Sequence, residues 1–156
     1  MKAIGIKMVE LTPMNSITAE KLGYKTNNTA DHINAISGYE VTYPDGYKSW
    51  CPKHVADAAY FILDDKEGNK ITDKDLDNFI VKGISVKLGE KTAVVLDTTI
   101  TGFDTIGTSA CVDPNNYNQE IGDSIAREEI RNKMWGHLGF ILQWAKYGIN
   151  RKTNNK

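Results

Sequence analysis

The sequence predicts an α+β protein: a small N-terminal β-rich unit with short helices, followed by a β-hairpin or antiparallel sheet packed on a long C-terminal helix. Three observations carry this expectation. Two stretches, 38–50 and 92–112, are rich in β-branched and aromatic residues and are broken by glycine-containing turns. From about Asn118 to Tyr147, apolar residues recur at spacings of three and four.

The first half opens on an apolar strand candidate, Ile4 to Leu11, and a short helix candidate, Ser16 to Leu22, stopped by Gly23. After a polar stretch from Lys25 to Asp31 comes a hairpin, Gly38 to Trp50. In its turn, Pro44-Asp45-Gly46, proline presets φ and glycine permits positive φ. Pro52 then opens a helix carrying Val55, Ala58, Ala59 and Ile62. Asp64 to Lys70 reads as a linker, giving units at 1–65 and 71–150 and a flexible polar tail at 151–156.

In the second half, Thr72 stands three residues before Asp75, the spacing of a helix cap, with Leu76, Phe79 and Ile80 on one face and Gly83 as the stop. Strands are expected over Thr92 to Ile100 and Phe103 to Val112, turning at Thr101-Gly102. Asp113-Pro114 breaks the second strand, and Asn115 or Asn116 caps the long helix. Gly122, Gly136 and Gly139 weaken that helix's continuity.

Composition narrows the function. The 156 residues carry 19 basic and 20 acidic side chains, a net charge of −1, so no global field draws the chain onto DNA or an anionic membrane. Apolar runs fall far short of the ~20 residues that span a bilayer, and no secretion-signal layout opens the chain. Two cysteines suit a reducing cytoplasm.

The chemistry sits on the helix. Glu120, Ser124, Arg127, Arg131, Met134, Leu138, Ile141 and Ala145 form one stripe, polar and then apolar. Two guanidiniums one turn apart fit a phosphate or carboxylate, but spacing alone favours ordinary helix-surface ion pairs, Arg127 with Asp123 and Arg131 with Glu128. Phe103 and Tyr117 are candidates to stack on a base, and Asn115 and Asn116 to read polar edges or simply to make a turn and a cap. The apolar end of the stripe reads as a seam against another helix, in this chain or a second copy.

Catalysis lacks a constellation. Cys51-Pro-Lys-His54 is half a zinc site with no second pair, and Pro52 opening a helix explains it without metal. Ser109 and Cys111 have no paired histidine, and small residues there suit packing beneath a helix. Asp97 and Asp104 fit either a facing acid/base pair or the polar positions of a half-exposed strand. No enzyme, metal or cofactor is expected.

Leu88 to Thr92, Gly102-Phe103, Gly107-Thr108-Ser109-Ala110-Cys111-Val112-Asp113-Pro114-Asn115-Asn116-Tyr117, Glu120-Ile121-Gly122 and Ile125-Ala126-Arg127 together resemble a widespread family of small tailed-phage and prophage proteins. Trp135 with Leu138-Gly139-Phe140 fits that family's helix end. The first half separately resembles a phage module, through Lys7 to Glu10, Pro13-Met14, Gly38 to Val41 and Tyr43 to Lys53, with Cys51 where serine is expected. The resemblance implies a viral accessory protein acting in the host bacterial cytoplasm. The layout of hairpin and arginine-bearing helix is similar to that of phage sponge proteins of the Thoeris anti-defence kind, which sequester cyclic nucleotide signals. That likeness implies capture of a cyclic nucleotide or cyclic ADP-ribose-type molecule without turnover, and the seam from Met134 to Ala145 adds the expectation of a homo-oligomer joined through the C-terminal helix. The alternative is an adaptor that binds a host or phage protein through Tyr39, Tyr43, Tyr47 and Trp50.

Overall fold

Gly46, at φ +84°, reverses the chain between two antiparallel strands, and its amide donates to the Tyr43 carbonyl at 2.9 Å. The expected hairpin is therefore present. In the computed structural model, which describes residues 1–26 and 35–149, the chain divides into two compact units. One comprises Met1–Ile62 with Gln143–Lys156, the other Leu63–Leu142.

The first unit is a three-stranded antiparallel sheet of β1 (Glu10–Asn15), β2 (Ser37–Thr42) and β3 (Lys48–Pro52), in that order. The expected strand at Ile4 to Leu11 forms later in the chain, because pairing with β2 begins at Glu10 opposite Thr42. Pro13 is tolerated because β1 is an edge strand, where a missing amide breaks no central ladder. Helix α1 (Ser16–Lys21) is capped by the Asn15 side chain and followed by Gly23 at φ +84°. Helix α2 (Lys53–Ala59) opens after Pro52 but ends before Ile62; only Ala56 on it is buried, and Val55 is exposed. Most of the polar stretch at 25–31 and the tail at 151–156 lie outside the described residues.

The second unit begins with α3 (Asp73–Phe79), which opens on the expected capping box: Thr72 Oγ1 accepts from the Asp75 amide, and the buried Asp75 carboxylate accepts from the Thr72 amide at 2.8 Å. Gly83 does not stop this helix. The chain leaves α3 at Ile80 directly into a third strand, β4 (Ile80–Leu88), which pairs with β5 (Thr92–Thr99), itself paired with β6 (Asp104–Ala110). Gly83 lies at a register shift between Val81 and Ile84, where a Cβ would stand 2.2 Å from the Leu96 carbonyl oxygen. It is a glycine of close approach rather than of helix termination.

A short 3-10 turn (Pro114–Asn116) leads to helix α4 (Gln119–Tyr147), continuous through its glycines. Its cap is Asn118, whose Oδ1 accepts from the Ile121 amide at 3.0 Å, not Asn115 or Asn116. The buried stripe is Gly122, Ala126, Ile130, Met134 and Leu138, a strict spacing of four, one face away from the arginines. It lies on the sheet face carrying Ala93, Val95, Asp97, Thr105 and Gly107. The seam that reads as helix on helix thus packs on a sheet, with Met134 and Leu138 already buried in the chain. Gly107 and Gly122 set the approach: a Cβ on Gly107 would stand 2.0 Å from the Ala126 carbonyl oxygen, and Ser109 Oγ donates to the Gly122 carbonyl at 2.8 Å.

Candidate functional site

Alternation along β5 turns Asp97 inward with Ala93, Val95 and Thr99, onto the face that α4 covers. A carboxylate only 2% exposed needs compensation. It has two partners: Oδ1 accepts from the Gly83 amide at 2.8 Å, and Oδ2 lies 3.4 Å from Arg127 Nε on α4. Arg127 pairs here rather than with Asp123, its neighbour one turn earlier.

Arg127 is only partly used by this contact. Its Nε is buried without a well-aligned hydrogen bond, and among the described residues its terminal nitrogens have no hydrogen-bond partner. They lie beside a cleft of about 840 Å³ formed within the second unit by α3, β4, β5 and the first half of α4. Asp97 and Ile130 form part of its wall, with Lys82 on β4 and Glu120, Ser124 and Glu128 on α4. The lining holds five carboxylates (Asp77, Asp97, Glu120, Asp123, Glu128) against three cations (Lys82, Arg127, Arg131), an excess of two negative charges.

These charges are not equally available. Arg131 donates from Nη1 to Asp77 at 2.5 Å and from Nη2 to Asp73 at 2.8 Å, tying α4 to α3; this pairing, to Asp77 first, raises its pKa. Both aspartates come from a helix more than 50 residues away, whereas Glu128 lies only three positions from Arg131. Asp123 accepts from the Ser85 hydroxyl and from Gln119 Nε2 at 2.6 Å, and these bonds with nearby Arg127 hold its carboxyl below the usual carboxylate range. Free polar capacity therefore concentrates on the Arg127 fork, Lys82, Glu120, Ser124 and Glu128.

The remaining candidates lie elsewhere. Phe103, in the β5–β6 turn, meets the His137 ring edge-on at 6.1 Å. Asn115 is an exposed member of the 3-10 turn, its amide held by Asp113 at 2.9 Å. Asn116 and Tyr117 line a separate cavity of about 290 Å³ with Lys91, Cys111 and Ile121. The Tyr117 hydroxyl donates to Gln119, and Lys87 Nζ stands 4.3 Å from its ring centroid, so that face already carries a cation. Arg127 and Arg131 thus share a cleft that none of these four side chains lines.

Asp97 and Asp104 do not face each other. Asp97 is opposite Thr105 on the inner face; Asp104 is opposite Thr98 on the outer one and accepts from its hydroxyl at 2.7 Å. Lys82 is not singled out by the sequence because the expected helix runs on to Gly83 where β4 stands, and Asp77 because its partner Arg131 lies 54 residues along the chain. Among the described residues no group of three or more His, Cys, Asp or Glu side chains is placed to hold a metal. Of the first unit's aromatics, Tyr47 is exposed, Tyr43 packs on it at 5.6 Å, and Trp50 is half-buried with its Nε1 donating to the Met14 carbonyl at 3.0 Å.

The second unit is therefore a helix-on-sheet domain with a polar, mixed-charge cleft. Residues 71–145 match the model of the family described as phage protein (N4 Gp49/phage Sf6 gene 66). No curated protein and no solved structure matches the chain. No helix among the described residues is long and apolar enough to cross a membrane.

Proposed function

We propose that this is a phage accessory binding protein whose helix–sheet cleft captures a cyclic nucleotide or cyclic ADP-ribose-type molecule without turning it over. The observation that carries this reading is Arg127: a half-buried guanidinium, anchored from behind by Asp97, whose terminal nitrogens lie free beside a cleft of nucleotide size. A phosphate accepts from that fork, with Lys82 as a second cation. The surplus carboxylates suit the rest of such a ligand, because ribose hydroxyls and exocyclic base amines are donors. Glu120 and Glu128 take these roles. Arg131, held by two aspartates, forms a wall of the cleft rather than a hand on the phosphate, and Phe103, Tyr117, Asn115 and Asn116 are outside this site.

The test uses the full chain and a panel of cyclic dinucleotides and cyclic ADP-ribose. A member of the panel is expected to bind in titration calorimetry and to be recovered chemically intact after heat denaturation. Arg127→Lys and Lys82→Ala are expected to weaken it ~10–100-fold, the loss of one or two charge-assisted hydrogen bonds. No binding by any member, or binding indifferent to both substitutions, overturns the proposal; a degraded ligand makes the protein an enzyme. The adaptor alternative instead requires Tyr47→Ala to abolish capture of a protein partner.

A further inference from the structure

The sheet of the second unit has two faces, and among the described residues only one is covered by another element. Strand alternation places Ile84, Val86 and Leu88 of β4, Val94 and Leu96 of β5 and Ile106 of β6 together on the face opposite α4, in direct cross-strand register. Ile84, Val86, Leu88 and Ile106 are between 49% and 66% exposed. The other registered positions on this face of β5 and β6 are threonines and an alanine, apart from one charge, Asp104, at a corner.

Such a surface is costly to leave in water. With ~170–200 Å² for a fully exposed valine, leucine or isoleucine, those four side chains present roughly 400 Å², and the whole face roughly 700 Å². The whole face, its threonines and Asp104 included, is close to the ~800 Å² per partner of a standard interface, and its four exposed aliphatic side chains alone match the ~300–600 Å² of the largest apolar patch on a typical monomer, a patch that is often functional.

We propose that the occupant of this face is a second copy of the chain, the two sheets packing face to face as the halves of a sandwich. Charge favours the self-pairing: a face with one charge presents almost nothing to repel its own copy, and nothing for an acidic or basic partner to pair with. A twofold axis along β5 carries the two Asp104 side chains to opposite edges, away from each other. Twist favours it too, since two copies of one sheet share the same hand and degree of twist and pack aligned at ≈ −30°. The contact puts the homo-oligomer interface on the sheet rather than on the helix, where Met134 and Leu138 of the expected seam are already buried in the chain. It does not involve the cleft, so it stands or falls independently of ligand capture.

Sedimentation equilibrium of the full chain is expected to give twice the 17.4 kDa chain mass at micromolar concentration. Val94, on the central strand, lies near the axis. Val94→Lys and Val94→Glu are each expected to run as monomers with an unchanged circular dichroism spectrum, and an equimolar mixture is expected to regain the dimer mass. If either charged variant fails to fold, Val86→Thr with Ile106→Thr, which suits a half-exposed strand, is expected to raise the dissociation constant at least tenfold. A monomeric wild type up to 100-fold higher concentration, an oligomer indifferent to the folded variants, or a mixture that stays monomeric overturns the proposal.

Discussion

Removing Arg127 tests the part of the site that everything else leans on. Its Nε stands 3.4 Å from a carboxylate that is 2% exposed, and a gross attraction of ~5 kcal/mol follows at an effective dielectric of ~20. Desolvation of Asp97 offsets much of this, and the guanidinium, about a quarter exposed, is partly screened. A net coupling of ~1–3 kcal/mol remains. Arg127→Ala strands a buried charge and is expected to cost ~2–4 kcal/mol, moving the urea midpoint down by ~1–2 M at m ≈ 2 kcal/mol/M. Asp97→Asn keeps an oxygen for the Gly83 amide and is expected to cost ~1–2 kcal/mol. The double variant should then fall short of the sum of the two by the coupling. Urea unfolding of the four proteins at pH 7 closes the cycle. Additivity within ~0.5 kcal/mol would show that Asp97 does not anchor Arg127, and the cleft would lose its preorganised cation.

Two further expectations follow from the same unit. Gly107→Ala puts a methyl 2.0 Å from the Ala126 carbonyl oxygen, backbone that cannot swing aside, so α4 must lift; a loss of at least ~2 kcal/mol and a Tm lower by ~4–8 °C is expected, and a Tm within 1 °C of wild type would refute the close helix–sheet approach. Asp123, held below its usual range by Ser85, Gln119 and Arg127, has a depressed folded-state pKa, so its contribution is present above the unfolded value of ~3.9 and is lost as pH falls through the folded one. Asp123→Asn is therefore expected to flatten the decline of Tm below about pH 4; an identical decline in both proteins would remove Asp123 from the acid response.

Local chemistry was readable in the sequence wherever a short window decides the backbone. Pro44-Asp45-Gly46 dictates a turn because glycine alone adopts its positive φ freely, and Thr72 with Asp75 caps a helix through atoms three residues apart. The 29-residue span of α4 was visible because its apolar spacing outlasts its glycines. The same local logic misread Gly83, since a helix stop and a close strand approach use the same residue, and that error hid β4 although Ile84, Val86 and Leu88 alternate plainly.

The partners of charges were decided only in three dimensions. Sequence spacing offers Arg127 and Arg131 their helix neighbours, but a short pair along an exposed helix gains little, whereas the folded chain brings Asp97 from a buried strand and Asp73 and Asp77 from the capped start of α3. For Arg127 the burial of Asp97 makes the difference, because it strengthens attraction and makes an unpaired charge expensive, whereas Arg131 meets two exposed carboxylates at once. The sequence by itself thus determined a hairpin, a capped helix and a long helix with two arginines. Tertiary packing alone decided that one of those arginines is spent on α3, that the other is anchored by Asp97 at the wall of a cleft, and that the sheet beneath them keeps one apolar face uncovered by the described residues.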